Sequence, residues 1–371
     1  MNKRVLITGG AGFIGSHLTD LLLSSGCSVR ILDCLSAQVH PGGVAPDYLD
    51  PEAELVAGDL RDAGSVARAL DGVDVVFHLA AAVGVGQSMY DIVRYTGTNE
   101  LGTAVLLEAL AKHPVERLVC ASSMSIYGEG LARRLDGETV EPDERPLEQL
   151  RRGAWELEDA GGEPLAPLPT PESKRPSLSS VYALNKYSQE RLCLMVGKAY
   201  RIPTVALRFF NVYGPRQALS NPYTGVLAIF AARLTNGRPP LIFEDGRQRR
   251  DFVHVQDVAR ACALAMEARS AVGGVFNIGS GQSRTIQSIA EDLAKVLGRA
   301  GLAPRLTGKY RVGDIRHCFA DIAKSRTALG FSPQVDFRDG LAELAEWVAG
   351  QVAHDGVDAA TAELEKRGLV A

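Results

Sequence analysis

Tyr182 and Lys186 stand four residues apart in Ser-Ser-Val-Tyr-Ala-Leu-Asn-Lys, downstream of Ser123 and of the run Thr8-Gly-Gly-Ala-Gly-Phe-Ile-Gly. Four-residue spacing puts a phenol and an ammonium on one face of a helix. A free tyrosine titrates near pH 10, so ionising it at neutral pH takes roughly 4 kcal/mol of differential stabilisation. A neighbouring ammonium and a positively charged nicotinamide ring both favour the phenolate. Tyr182 is therefore the candidate base, and Lys186 can supply part of its acidification. Ser123, at the carboxyl end of a strand expected over 117–121, is the group that hydrogen-bonds and orients the reacting hydroxyl. Tyr-x-x-x-Lys by itself is common on surface helices; Ser123 and the glycine run give it meaning.

Gly9, Gly12 and Gly15, with Phe13 and Ile14 between the last two, follow a short apolar strand and open a helix. Backbone without side chains can turn sharply and approach a pyrophosphate, and the helix amino terminus supplies N–H donors and partial positive charge. Asp33 ends the second strand 18 residues after Gly15. A carboxylate there can accept from both ribose hydroxyls and would repel a 2'-phosphate, which favours NAD over NADP. Asp59 and Leu60, after the third strand, are expected beside the adenine.

Positioning these groups requires a sheet. Short apolar runs at Val5, Ser28, Val73, Arg117 and Thr204 alternate with segments of three- and four-residue apolar periodicity at 13–24, 65–70 and 99–112. That alternation predicts an α/β protein with a Rossmann-like doubly wound parallel sheet. The dinucleotide-binding domain is expected over 1–211 plus 251–276, interrupted by an insertion over 129–176. A smaller α/β substrate lobe over 212–250 plus 277–350 should close on the sheet's carboxyl edge, and 351–371 reads as a helical tail without chemistry. The insertion is charged and rich in Pro and Gly, with a weakly helical stretch at 147–158, and reads as a lid over the site or as a solvated loop.

With 371 residues, 46% hydrophobic and 23% charged, the chain can bury a large core. A net charge of -4 with interspersed signs excludes a broad face for nucleic acid or an anionic membrane, leaving a small molecule as partner. The six cysteines show no Cys-x-x-Cys spacing, which argues against zinc and against a disulfide framework, and no metal is expected. No apolar run is long enough to span a bilayer, and Met1 to Arg4 lead into a strand rather than a signal peptide, so a cytoplasmic location is expected.

As a set, Thr8 to Gly15, His78-Leu-Ala-Ala, Asn99-x-x-Gly-Thr, Ser122-Ser-Met-Ser-Ile-Tyr-Gly, Tyr182-x-x-x-Lys186, Arg208 to Arg216, Arg250-Asp-Phe-Val-His-Val and Arg311-x-Gly-Asp are highly specific. Over about residues 1–350 the chain resembles an extended short-chain dehydrogenase/reductase of the nucleotide-sugar epimerase and dehydratase group. The resemblance implies tightly held NAD, touched by Leu79, Ala80, Ala81, Asn99, Tyr182 and Lys186 besides the residues above. It also implies a nucleoside-diphosphate sugar, bound by Val85, Ser123, Met124, Ser125, Asn211, Arg250, Arg311 and Cys318. Asn211, Arg250 and Arg311 would meet the diphosphate, whose oxygens match guanidinium forks.

Dehydratases of this group carry Thr-Asp-Glu where this chain has Ser123-Met124-Ser125, so the acid and base for eliminating water are missing. Epimerisation at carbon 4 needs only Tyr182, Ser123 and NAD. The runs 83–89 and 218–226 resemble epimerases of thymidine-diphosphate 6-deoxyhexoses such as dTDP-L-rhamnose; uridine-diphosphate sugars remain open. Cys318 falls either at a gate residue of the sugar pocket or in the core. The family implies a homodimer through helices around 99–111 and 182–196, whose apolar stripes could equally pack inside the monomer. A 4-ketoreductase or 4-dehydrogenase that releases its cofactor, and a silent NAD-sensing scaffold, are the other readings.

Overall fold

In a computed structural model, which describes residues 3–371, the chain builds one seven-stranded sheet. Its order is Val275–Ile278, Thr204–Phe209, Arg117–Ser123, Val75–His78, Arg4–Thr8, Ser28–Asp33 and Glu54–Ala57. Every neighbouring pair is parallel. Helices cover both faces, so successive strand residues feed opposite cores. Val5, Ile7, Val75, Phe77 and Val119 pack under helices Phe13–Ser24 and Val255–Glu267. Leu6, Val76, Leu118 and Cys120 pack under Ala63–Leu70, Gly102–Lys112 and Val181–Tyr200. This is the Rossmann-like doubly wound sheet that the alternation predicts. Chain order reverses between Arg4–Thr8 and Val75–His78, which opens a crevice at their carboxyl ends. Met1 and Asn2, part of the expected lead into the first strand, lie outside the described residues. Among those described, no helix is long and apolar enough to cross a membrane.

Three helices, Val226–Thr235, Ile286–Val296 and Phe337–Ala349, share a separate core of Leu227, Phe230, Leu293 and Leu341. Short strands Asn211–Tyr213, Arg249–His254, Ser283–Thr285 and His317–Cys318 join that lobe to the sheet's carboxyl edge. The chain returns to the sheet side as helix Val255–Glu267 and strand Val275–Ile278.

Residues 129–176 form a structured appendage rather than a loose loop. Strands Ala132–Arg133, Thr139–Val140 and Ala166–Pro167 pair around Ala132, Leu157 and Leu165. Of the helix anticipated over 147–158 only Leu147–Arg151 forms. Buried charge fixes the appendage to the second lobe. Arg316, 0% exposed, reaches Glu244 at 2.9 Å, Asp245 at 2.7 Å and Glu156 at 2.5 Å. Arg145 bonds Glu244 at 2.9 Å, and Glu129 accepts the backbone N–H of Arg316 at 2.7 Å and of His317 at 3.0 Å. Such a cluster adds little net stability, but removing one member strands its partners in low dielectric.

Burial pushes the Glu129 carboxyl up to about 7 from an ordinary 4.5. Between those values the folded state holds a proton that the unfolded chain has lost. The contribution to stability is thus complete below about pH 4.5 and disappears as pH rises through 7. Glu129→Gln should flatten the dependence of melting temperature on pH across that interval, measured by scanning calorimetry.

Candidate active site

A cavity of about 1110 Å³ lies at the carboxyl edge of the sheet, between it and the second lobe. Its floor is the glycine loop. Gly9 has φ +74°, and a Cβ there would stand 2.8 Å from the Ala80 backbone; one on Gly15 would stand 2.4 Å from the Gly9 carbonyl. A Cβ on Gly12 would meet only that carbonyl, at 3.3 Å, and otherwise occupy open cavity. Gly9 therefore makes the turn, Gly15 the close packing, and Gly12 the room for a ligand. Helix Phe13–Ser24 has no side-chain cap and no acid in its first turn, so its leading N–H groups are available to an anion.

Around this floor Phe13, Ile14, Asp33, Asp59, Leu60, Leu79, Ala80 and Ala81 line the cavity. Asp33 accepts the N–H of Ala11 at 3.1 Å and of Leu35 at 3.0 Å, which ties the end of its strand to the glycine loop. Asp59 pairs with Arg61 at 2.6 Å, and that hydrogen bond holds its carboxyl below the usual range. Asn99 is buried in a widened helical turn at Gly97–Leu101 and does not line the cavity. Its amide grips residue 82 through both backbone atoms, Ala82 N–H to Oδ1 at 2.7 Å and Nδ2 to Ala82 O at 3.0 Å, and so fixes the loop that follows Ala81. The uncapped helix, the space at Gly12 and the ribose-side carboxylate fit NAD, which when bound supplies the hydride acceptor at this edge.

Ser123, Tyr182 and Lys186 come together at the same edge. Arg117–Ser123 runs two residues beyond the expected strand end. Ser122 donates to Glu190 at 2.6 Å, and Arg208 grips that carboxylate with two bonds of 2.9 and 2.8 Å, which locks the strand end against helix Val181–Tyr200. Ser180 caps that helix, and the Tyr182 N–H donates to Ser88 at 3.0 Å. Tyr182 is thus in the first turn, where the helix field favours an anion. The Ser123 hydroxyl donates to that of Ser125 at 3.1 Å; its nearness lowers the pKa of the Tyr182 phenol, yet burial dominates and pushes it up to about 12. Lys186 is buried, its ammonium held by the Gln189 carbonyl oxygen. Gln189 in turn bonds Thr103 at 3.0 Å and His78 at 2.7 Å. Burial, aided by the Lys186 charge, pushes His78 down to about 3 and keeps it neutral. In the protein alone burial thus outweighs the part of the acidification expected from Lys186, and the other part expected, from a positively charged nicotinamide, would have to lower the phenol further.

On the substrate side Val85, Met124, Ser125, Asn211, Arg250 and Arg311 line the cavity. Asn211 Oδ1 and Arg311 Nε are buried without a hydrogen-bond partner, and Arg311 lies 4.5 Å over the Phe243 ring. Arg250 is less free than expected, because its Nη atoms already donate to the carbonyls of Arg249, Ile315 and Arg316. Cys318 is not in the cavity. It is 0% exposed, 3.9 Å from the Thr170 hydroxyl, in a core with Met124, Tyr127 and Phe210. None of residues 129–176 lines the cavity, so the insertion is not a lid. The last helix, Val357–Lys366, does line it, so the segment read as a helical tail without chemistry forms part of the cavity wall. Gln189 and Glu190 were not anticipated either; their only local signal is a place on the face of the helix that carries Tyr182 and Lys186.

Fold and site together define an NAD-using enzyme on the short-chain dehydrogenase/reductase plan. The chain belongs to the NAD dependent epimerase/dehydratase family, whose model matches residues 5–149 and 162–279, with the gap between them inside the appendage. It is 35% identical over 354 residues to dTDP-L-rhamnose 4-epimerase of Burkholderia thailandensis, covering 94% of this chain and 96% of that protein. UDP-glucose 4-epimerase of Thermotoga maritima, solved with UDP-glucose, superposes with a TM-score of 0.76 at 32% identity, covering 93% of this chain and 98% of that one. The UDP-glucose 4-epimerase of Thermus thermophilus, solved with NAD, gives 0.73 at 32% identity over 94% of this chain and 100% of that one.

Asp33→Asn leaves an acceptor for the ribose but removes the charge that repels a 2'-phosphate. Titrating cofactor-stripped protein should show NAD bound about tenfold more weakly and a narrower preference over NADP, as expected for loss of a charge-assisted hydrogen bond.

Proposed function

We propose that this enzyme inverts carbon 4 of a nucleoside-diphosphate sugar through a 4-keto intermediate, with a thymidine-diphosphate 6-deoxyhexose such as dTDP-L-rhamnose as substrate. One observation carries the reading: Ser123, Tyr182 and Lys186 meet at the dinucleotide crevice, while Ser123-Met124-Ser125 offers no carboxyl group for eliminating water. Tyr182 takes the 4-hydroxyl proton as hydride leaves carbon 4 for the nicotinamide. Ser123 holds the oxygen through both half-reactions. Arg311, whose Nε–H is unpartnered, anchors the diphosphate with the Asn211 amide nitrogen as a second donor while the ketone turns. Val83, Val85 and Met124 give the ring an apolar wall with no hydrogen bond to hold it in one pose. Hydride then returns to the opposite face, and Tyr182 gives its proton back.

A belt of side chains that would retain the cofactor supports this cycle over a dehydrogenase that exchanges it. Gln38 donates to Gln87 and Asn221, both at 3.0 Å, and so closes a belt between sheet domain and lobe beside the ribose site. The Burkholderia relative supports the thymidine-diphosphate reading, and the UDP-glucose 4-epimerases keep uridine-diphosphate sugars in the test. Purified protein without added cofactor, offered dTDP-, UDP- and GDP-sugars, should invert carbon 4 of a dTDP-6-deoxyhexose by NMR. No solvent deuterium should enter that carbon. Tyr182→Phe should cost about 10³-fold in kcat. Deuterium at carbon 4, or turnover that requires added cofactor, would defeat the proposal.

The reading includes a homodimer. Leu101, Leu184 and Met195, at 55, 50 and 52% exposed, leave an apolar face on the two packed helices Gly102–Lys112 and Val181–Tyr200 and their junction. Leu184→Glu should convert a dimer into a monomer by light scattering.

A further inference from the structure

The final segment of the chain walls the end of the cavity where the second lobe faces Arg311. Asp358, Thr361 and Glu365 of helix Val357–Lys366 line it, and Leu369 follows. Beyond the helix the backbone runs antiparallel to 310–312. Tyr310 and Ala371 exchange N–H to O bonds of 2.9 and 3.1 Å, and the Val312 N–H donates to the Leu369 carbonyl at 3.3 Å. The residue inside this ladder, opposite Val370, is Arg311.

Two anchorages hold the wall, one on each side of the cavity. On the lobe side buried Arg233 reaches Asp355 at 3.2 Å and Asp358 at 2.9 Å, and Lys309 pairs with Glu365. These pairings matter for an anionic ligand, because free carboxylates at 358 and 365 would repel a diphosphate. On the sheet side the Arg367 guanidinium lies 4.3 Å over the Tyr90 ring, and the Tyr90 hydroxyl donates to that of Tyr223 at 2.6 Å. Leu364, 3% exposed, closes against Gly86, where an added Cβ would come within 3.4 Å of it.

We infer that residues 355–371 are the outer wall of the nucleotide-sugar site, and that Arg367 is a positioning residue whose stack on Tyr90 keeps the wall shut. The consequence for turnover rests on the 4-epimerase reading above. A ketone loose enough to turn is loose enough to leave. If it leaves after the first half-reaction, the sugar has lost a hydride, which would stay on the protein as reduced cofactor, and the hydroxyl proton, which Tyr182 has taken, and the enzyme stalls.

Arg367→Ala, Arg367→Lys and Glu363→Ala, each in the full chain, test this. Glu363 is the other partner of Arg367, in an exposed pair, and its loss leaves the stack in place. Calorimetric titration with dTDP and UDP requires no turnover. Arg367→Ala should bind the tighter of the two about tenfold more weakly, Glu363→Ala should match the parent, and Arg367→Lys should recover most of the loss because an ammonium over the ring retains the attraction. During turnover Arg367→Ala should raise KM by a similar factor, and absorbance at 340 nm should accumulate on the protein as free ketone appears in the filtrate. Unchanged diphosphate binding in Arg367→Ala, or a parent protein that binds neither nucleotide, overturns the wall. Weakened binding without any rise at 340 nm overturns the role in confinement. A parent that binds dTDP or UDP yet inverts no sugar counts against the epimerase reading alone and leaves the binding test of the wall standing.

Discussion

A phenol that works beside a nicotinamide has to be dry, and dryness opposes its ionisation. That conflict organises the site. With Tyr182 pushed up to about 12, forming its phenolate at pH 7 costs about 7 kcal/mol. That figure already includes the lowering by Ser123, and a place in the first helical turn returns up to about 2 kcal/mol. Lys186 is within the same helix face but shares its charge with Gln189. The protein's own terms leave the phenol neutral, and a positively charged nicotinamide in the crevice would favour its ionisation. This coupling suits a reversible cycle. A phenol that is neutral whenever the ring charge is gone is already the acid that a ketone needs on the return half.

Rigid charge scaffolds on each side of the crevice make such coupling geometrically reliable. On the sheet side Glu190 and Arg208, both buried, hold Ser122 and the ring of Tyr127, so the strand end that presents Ser123 cannot drift from the helix that presents Tyr182. On the lobe side Glu129 pins the N–H groups of Arg316 and His317, and the carbonyls of Ile315 and Arg316 hold Arg250. Buried ion pairs are poor sources of net stability. Their placement beside reacting and binding groups points to positional specificity as what they contribute.

The parts of this site that are legible in the sequence are local. A glycine run after a strand, an acid at the next strand end and a phenol four residues before a lysine each declare themselves within a few dozen residues. Their elements follow from apolar periodicity, with strand ends missed by one or two positions at Val75–His78 and Arg117–Ser123. What stayed hidden depends on contacts between distant segments. Cys318 follows Arg311 by seven residues, but His317–Cys318 pairs with Arg249–Arg250 and carries the thiol into the core. Arg250 reads as a free guanidinium until the carbonyls at 315 and 316 fold against it. The insertion reads as loose because its charges look solvated, whereas Arg145 and Arg316 find partners about 100 and 160 residues away. The last helix has no motif at all, and only its packing across the cavity gives it a role.

An epimerase of the proposed kind faces three demands that pull apart: the nucleotide must be fixed, the sugar free, and the ketone confined. Arg311 links the first to the third. Its side chain, the proposed diphosphate anchor, lines the cavity with an unpartnered Nε, while its backbone is the middle of the ladder that joins 310–312 to 369–371. Any movement that opened the wall would strain that ladder and displace the anchor, so a bound diphosphate resists opening through the same residue that holds it. In the proposed cycle the sugar end carries no comparable charged tie: Val83, Val85 and Met124 give it apolar surface beside the hydroxyls of Ser123 and Ser125. Firm grip and free rotation are thus separated along the length of one ligand: charge and ladder at the phosphates, apolar wall at the ring.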